Sequence, residues 1–229
     1  MKTLSKILTL GIIISLFSAC AIFRQKTINA AYDEGVVING IRWATRNVDM
    51  PGTFAPTPES PGMFYQWNRK KAWNATDEQI SRWRRFVNRF RIRQRHRNIA
   101  DISVENWNLT TPEGTEWEAQ NDPCPRGWRV PTRAELQNLD SAGSVWTTRN
   151  GINGRVFGTA PNQIFLPAAG WRRHDDGVFF LNGTSGGYWS STNAFSGNEW
   201  AFDFVFIEES TNTLHSFRTR GFSIRCVAK

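Results

Sequence analysis

Cysteine, histidine and acidic residues are scarce in this 229-residue chain, and long apolar runs are scarcer still. Three cysteines are too few for the dense bridging of a small disulfide scaffold. The three histidines, at 96, 174 and 215, are scattered, and no nucleophile stands at a spacing that fits a known triad family. Apart from Ile7 to Phe17, no apolar stretch approaches the about 20 residues that a helix needs to cross a bilayer. Any membrane attachment is therefore expected through lipid. No internal repeat is visible.

What is present begins at the N-terminus. Lys2 and Lys6 precede the apolar run, and Ser18-Ala19-Cys20 follows it. A basic start, a short apolar core and small residues before a cut site make a secretory signal over residues 1–19. The cysteine directly after Ser18-Ala19 resembles a bacterial lipobox, in which the peptidase cuts before a cysteine that becomes acylated. Phe17 departs from the usual leucine, although Leu16 is adjacent. An ordinary cleaved signal with an incidental cysteine is the plainer alternative. With Cys20 lipidated, Cys124 and Cys226 remain, and in an oxidising compartment two cysteines can pair or stay as separate buried thiols.

The formal charge of +8 is concentrated in one place. Residues 82–97 hold eight arginines and no acid, so the rest of the chain is balanced. Thr76 and Gln79 make a capping box, and Ile80, Trp83, Val87 and Phe90 recur at helical spacing, which predicts a basic helix over Thr76 to His96.

Other segments read locally. Residues 20–34 look like a polar tether. Gly35 to Val48 predicts a hairpin around Asn39-Gly40, a pair that accepts the positive φ of a type I′ turn. Thr132 and Glu135 form a second capping box, with Leu136 and Leu139 facing inward. After it, short strands alternate with Gly and Asn turns. In the stretch Trp200 to Phe206, Trp200, Phe202, Phe204 and Phe206 share one face, and Ala201, Asp203 and Val205 share the other.

Several blocks in order resemble the Fibrobacter succinogenes major paralogous domain. They are IRWATRNVD, PGTFAPTPESPGMFYQWNRKKAWN, GTEWEAQNDPCPRGWRVPTRAELQNL, IFLPAAGWR, GGYWSST and FSIRCVA, spread over residues 35–229. The resemblance implies an α+β, C-type lectin-like fold: small twisted antiparallel sheets, flanking helices and long loops. It also implies one disulfide, from before a helix to the last strand, where Cys124 and Cys226 stand. About forty residues, roughly 75–112, exceed what the family pattern leads us to expect, and the basic helix lies within this insertion. Members of the family are exported, often lipidated, and regarded as surface or adhesion proteins.

Candidate sites follow. Calcium needs six to eight clustered oxygens. Ala160-Pro161-Asn162 lacks the acid of a lectin calcium triplet, and His174, Asp175 and Asp176 read as a solvated turn. No metal, cofactor or catalytic residue is expected. For a ligand, the loops between Trp189 and Arg220 offer Asn193, Phe195, Asn198, Asn212, Arg218 and Arg220. For an anion, Arg82, Arg85, Arg89 and Arg93 could pair with carboxylate, sulfate or phosphate. Trp171 and Trp189 read as core.

The expectation is a non-catalytic, lipid-anchored outer-membrane protein of the bacterial envelope that binds a glycan or protein. The alternatives are an accessory subunit of a surface or fimbrial assembly, and a binder of anionic glycan or lipopolysaccharide through the arginine helix. Nucleic acid is electrostatically possible but badly placed for an exported lipoprotein.

Overall fold

A computed structural model describes residues 30–74, 107–195 and 197–229. The chain opens with β1 (Val36–Ile38) and β2 (Ile41–Trp43), a hairpin in which Val36 faces Trp43. Asn39 and Gly40 both have positive φ, 47° and 82°, as the type I′ turn requires. Then come β3 (Met63–Tyr65) and β4 (Ala72–Asn74), a second hairpin. A 3-10 turn at Ala119–Asn121 precedes β5 (Trp128–Arg129) and helix α1 (Arg133–Ser141).

The remaining strands are β6 (Ser144–Arg149), β7 (Ile152–Thr159), β8 (Asn162–Pro167), β9 (Trp171–Arg172), β10 (Phe179–Phe180), β11 (Gly186–Asn193), β12 (Trp200–Phe206), β13 (Thr211–Phe217) and β14 (Val227–Ala228). They form the sheets β1-β2-β14-β5, β6-β7-β8, β11-β12-β13, β3-β4 and β9-β10, and every named pair is antiparallel.

This architecture corrects the expected fold class. The α+β, C-type lectin-like arrangement with flanking helices is not what the chain adopts. Among the described residues there is one α-helix, α1, nine residues long, and the rest is small antiparallel sheets and turns. The physical reason lies in the spacing of glycines. Gly143, Gly151, Gly158, Gly170, Gly177 and Gly183 all sit at positive φ, which interrupts helix geometry at six points and sets short strands between turns over residues 144–182. The predicted basic helix, residues 76–96, lies outside the described residues.

α1 itself starts as its sequence predicts. The Thr132 hydroxyl accepts from the Glu135 amide at 3.2 Å, and the Glu135 carboxylate accepts from the Thr132 amide at 2.7 Å. Glu135 also pairs with Arg129 at 2.6 Å. The tether expected to run to residue 34 ends earlier. Asp33 is buried and accepts from Arg46 Nε, the Gly35 amide and the Thr45 hydroxyl.

Two large apolar clusters share the β11–β13 sheet. Tyr188, Phe204 and Phe206 pack with Trp43, Leu136, Leu139 and Phe157 on one side. Trp189 and Ala201 pack with Trp67, Trp117, Trp128, Phe222 and Cys226 on the other. The predicted alternation along β12 is thus the division between two cores. A smaller cluster joins Phe64, Trp73 and Trp107. The Trp73 and Trp107 rings are 4.6 Å apart, so the chain leaves the described fold at residue 74 and returns at 107 in one place.

The last strand inserts between β2 and β5, and there the bridge closes. Cys124 and Cys226 are disulfide-bonded, with Cα atoms 6.1 Å apart and a sequence separation of 102. A closed loop of that length contributes about 4–5 kcal/mol in the chain-entropy account. Cys226→Ala should therefore lower the melting temperature by on the order of 10 °C. A thermal melt that matches wild type would remove the bridge from the stability argument.

Candidate functional site

Most large rings of this protein are inside; those along one stretch of β12 and β13 are not. The two strands pair Trp200 with Phe217, Phe202 with His215 and Phe204 with Thr213. The parity of this ladder follows from its ends. The Arg218 amide donates to Glu199 O at 2.9 Å, and the Ile207 amide donates to Ser210 O at 3.0 Å. Hydrogen-bonded rungs alternate along an antiparallel pair, so Trp200·Phe217 and Phe202·His215 are the non-bonded rungs, whose side chains stand closest.

The rings obey that parity. Trp200 and Phe217 stack with centroids 3.9 Å apart and planes at 30°. His174, from the tip of the β9–β10 hairpin, stacks on Phe217 at 4.4 Å and 21°. At such distances the two neighbours must take opposite faces of Phe217. His215 meets Trp200 edge-on at 5.3 Å, and the Phe195 ring at 4.9 Å. At the other end the Arg133 guanidinium lies 3.9 Å over Phe202. The result is a half-exposed ridge, His174–Phe217–Trp200–His215–Phe195 with Phe202 and Arg133 beside it. Phe195 is 52 % exposed.

The predicted ligand residues divide around this ridge. Phe195 belongs to it. Asn193 holds the loop that carries Phe195: its side-chain amide donates to Phe195 O, and its Oδ1 accepts from Arg218 at 2.6 Å. Asn198 is exposed on the same loop. Arg218 is fully buried, donating to Pro112 O at 2.8 Å and lying 4.0 Å over Trp67, so it braces the loop from inside. Burial pulls its pKa below the ordinary arginine value.

Arg220 sits on the opposite face, donating to Ser216 Oγ at 3.0 Å and approaching the Trp171 and Phe222 rings. Asn212 pairs with Val205 near the start of β13, about 20 Å along the strand from residue 218. The structure leaves both off the ridge. Arg82, Arg85, Arg89 and Arg93 lie outside the described residues. Trp189 is fully buried, as read, and Trp171 is half-buried.

Trp200, Phe202, His215, Phe217, His174 and Arg133 were missed as site residues. The first four carry a signal, since two facing strands place aromatics and an imidazole on the same side. His174 and Arg133 carry none, because each arrives from a distant element. Trp107 donates through its indole to His174 O at 3.2 Å, so the base of the basic insertion adjoins the ridge. Asp175 and Asp176 are engaged by Arg173, at 2.6 and 3.6 Å. That pairing holds Asp175 down at about 2.

Behind the ridge, on the other face of β12, Asp203 is fully buried. Neither of its oxygens meets hydrogen-bond geometry. Burial pushes its carboxyl up to about 6, partly offset by the nearby Ser216 hydroxyl and the Arg220 charge. A raised folded-state value means that the native state binds the proton more tightly than the unfolded chain. Stability from this group is therefore full below about pH 4 and is lost as pH rises through about 6.

Comparison with known proteins adds little. A family model described as Domain of unknown function (DUF8237) matches residues 140–227, a span that holds the ridge apart from Arg133. No curated protein and no solved structure matches the chain.

The buried carboxylate sets a pH test. Asp203→Asn should gain on wild type as pH rises from 4 to 8, by about 2–3 kcal/mol at most. Parallel melting curves over that pH range check it, and a constant difference would show that Asp203 does not titrate there.

Proposed function

We propose that this chain is a non-catalytic, lipid-anchored binding protein of the bacterial outer membrane, and that the β12–β13 ridge takes a glycan. The observation that carries the reading is the ridge itself. A protein that buries Trp43, Trp67, Trp73 and Trp189 completely leaves a contiguous run of rings half-exposed on one short stretch. The run is narrow and broken by imidazole and amide groups at His174, His215, Asn193 and Asn198. A few convergent polar groups among rings suit a small hydroxyl-rich ligand. A protein partner would call for a broader apolar centre.

Cys20 supports the anchor through its lipobox context. Cys20→Ser should move the protein from the membrane to the soluble fraction on cell fractionation; continued membrane association would end the lipid reading.

A second reading has its own observation. Among the described residues β13 is an edge of its sheet, and it carries no Lys, Arg or Pro to protect it. By the ladder's parity, Thr211, Thr213 and His215 turn their backbone groups toward that edge. Strand addition to a neighbouring subunit of a surface assembly would use it.

A glycan array probed with the mature protein separates the two. The glycan reading expects binding to a defined saccharide, weakened about tenfold by Phe195→Ala with an unchanged melting temperature. Silence on all saccharides, with co-purification of envelope proteins, would favour the subunit.

A further inference from the structure

One end of the ridge carries a guanidinium with no ion pair, and that group names a ligand class. Arg133 stands over Phe202, its guanidinium carbon 3.9 Å from the ring centre, and makes no ion pair or side-chain hydrogen bond among the described residues. Its Nε is buried without a partner. The other cations nearby are spoken for or turned away. Arg218 donates to Pro112 O and Asn193 inside the fold, Arg173 pairs with Asp175, and Arg220 serves the opposite face.

The stacked rings add to the same polarity. Phe217 has both faces covered, by Trp200 and His174, so what remains to meet a ligand is its edge. Aromatic edges carry the positive part of the quadrupole and favour oxygen-rich, electronegative groups. Of the acidic residues around the ridge, Glu199 adjoins Trp200 in sequence and Asp175 and Asp176 are engaged by Arg173. At the Phe202 end Glu135 is taken by Arg129 at 2.6 Å, and Glu116 pairs by backbone with Thr192. Among the described residues Arg133 is thus the ridge cation left to take an anionic group, and a guanidinium can offer two parallel donors to one oxyanion.

Resting on the glycan reading above, we infer that the ligand is an acidic saccharide whose carboxylate or sulfate is taken by Arg133 at the Phe202 end of the ridge. Ring edges and amides hold the sugar, and Arg133 reads its charge. This assignment makes no use of the arginine-rich segment, residues 82–97, which lies outside the described residues.

The test uses matched probes that differ in charge. Full-length mature protein is titrated with an oligogalacturonate and its methyl-esterified neutral form, and with a sulfated and a desulfated heparin oligosaccharide. Wild type should prefer an acidic member of at least one pair by about tenfold or more. Arg133→Gln should abolish that preference, and Arg133→Lys should restore part of it.

Preference for the carboxylate pair alone or the sulfate pair alone identifies the oxyanion. Equal binding of charged and neutral members would overturn this inference and leave the glycan reading standing. So would an acidic preference that survives Arg133→Gln, because the charge would then be read elsewhere. Binding to no saccharide at all would remove the glycan reading and this inference together.

Discussion

A fold made of strands two to eight residues long has to bury backbone that no sheet can satisfy, and this protein meets that constraint with side-chain donors. Arg225, fully buried, donates to Ala44 O, to Phe165 O and to the Asn47 side chain. Arg172 donates to Asn74 O and Gly177 O. The indoles do the same work: Trp67 donates to Ser190 O, and Trp189 to Tyr65 O. Gln66 donates to both Asn108 O and Thr219 O. Where no second donor reaches the carbonyl, removal orphans it at about 1–3 kcal/mol; Tyr65 O keeps a bond from the Phe222 amide at 3.1 Å. Burial pulls Arg225 down to about 10, which still leaves it charged at neutral pH and able to donate from every nitrogen.

These donors explain why so many tryptophans and arginines sit inside a chain with few conventional core aliphatics. A leucine could fill the same volume but could not bond a loop carbonyl. The donors also connect elements distant in sequence. Arg225 ties the last strand's approach to β8 and to the loop after β2, while Arg218 ties the end of β13 to residue 112. The disulfide acts on the same join, holding the segment before β5 against the strand that closes the sheet.

The ridge is the remainder of this plan. Inner rungs of the β11–β13 sheet are covered on both faces, one core receiving Phe204 and Phe206 and the other Trp189 and Ala201. At the Trp200 end the first core runs out, and the same face continues into solvent with its rings still paired by the ladder. Ladder parity decides that Trp200 and Phe217 touch. The hairpin tip and the first turn of α1 decide what flanks them. Directly behind, Asp203 occupies an inward position that the alternating pattern would give to an apolar residue, which makes this stretch sensitive to proton concentration as well as to packing.

Local chemistry determined a good deal by itself. The Asn39-Gly40 turn, the Thr132–Glu135 cap and the two faces of β12 were all legible, because each depends on residues within one turn or one strand. The Cys124–Cys226 pairing followed only with the help of the family resemblance, and that same resemblance misled on the fold class: the glycines that break this half of the chain into short strands leave room for one helix among the described residues. The ridge was half legible. Phe195, Asn193 and Asn198 come from one loop, and the aromatic alternation along β12 was visible, but alternation alone does not tell which end of the strand is covered. Only the tertiary structure decided that one end is open, that His174 and Arg133 arrive there from other elements, and that Arg218 is a brace and not a contact, because those outcomes depend on which distant surfaces meet and no local pattern records them.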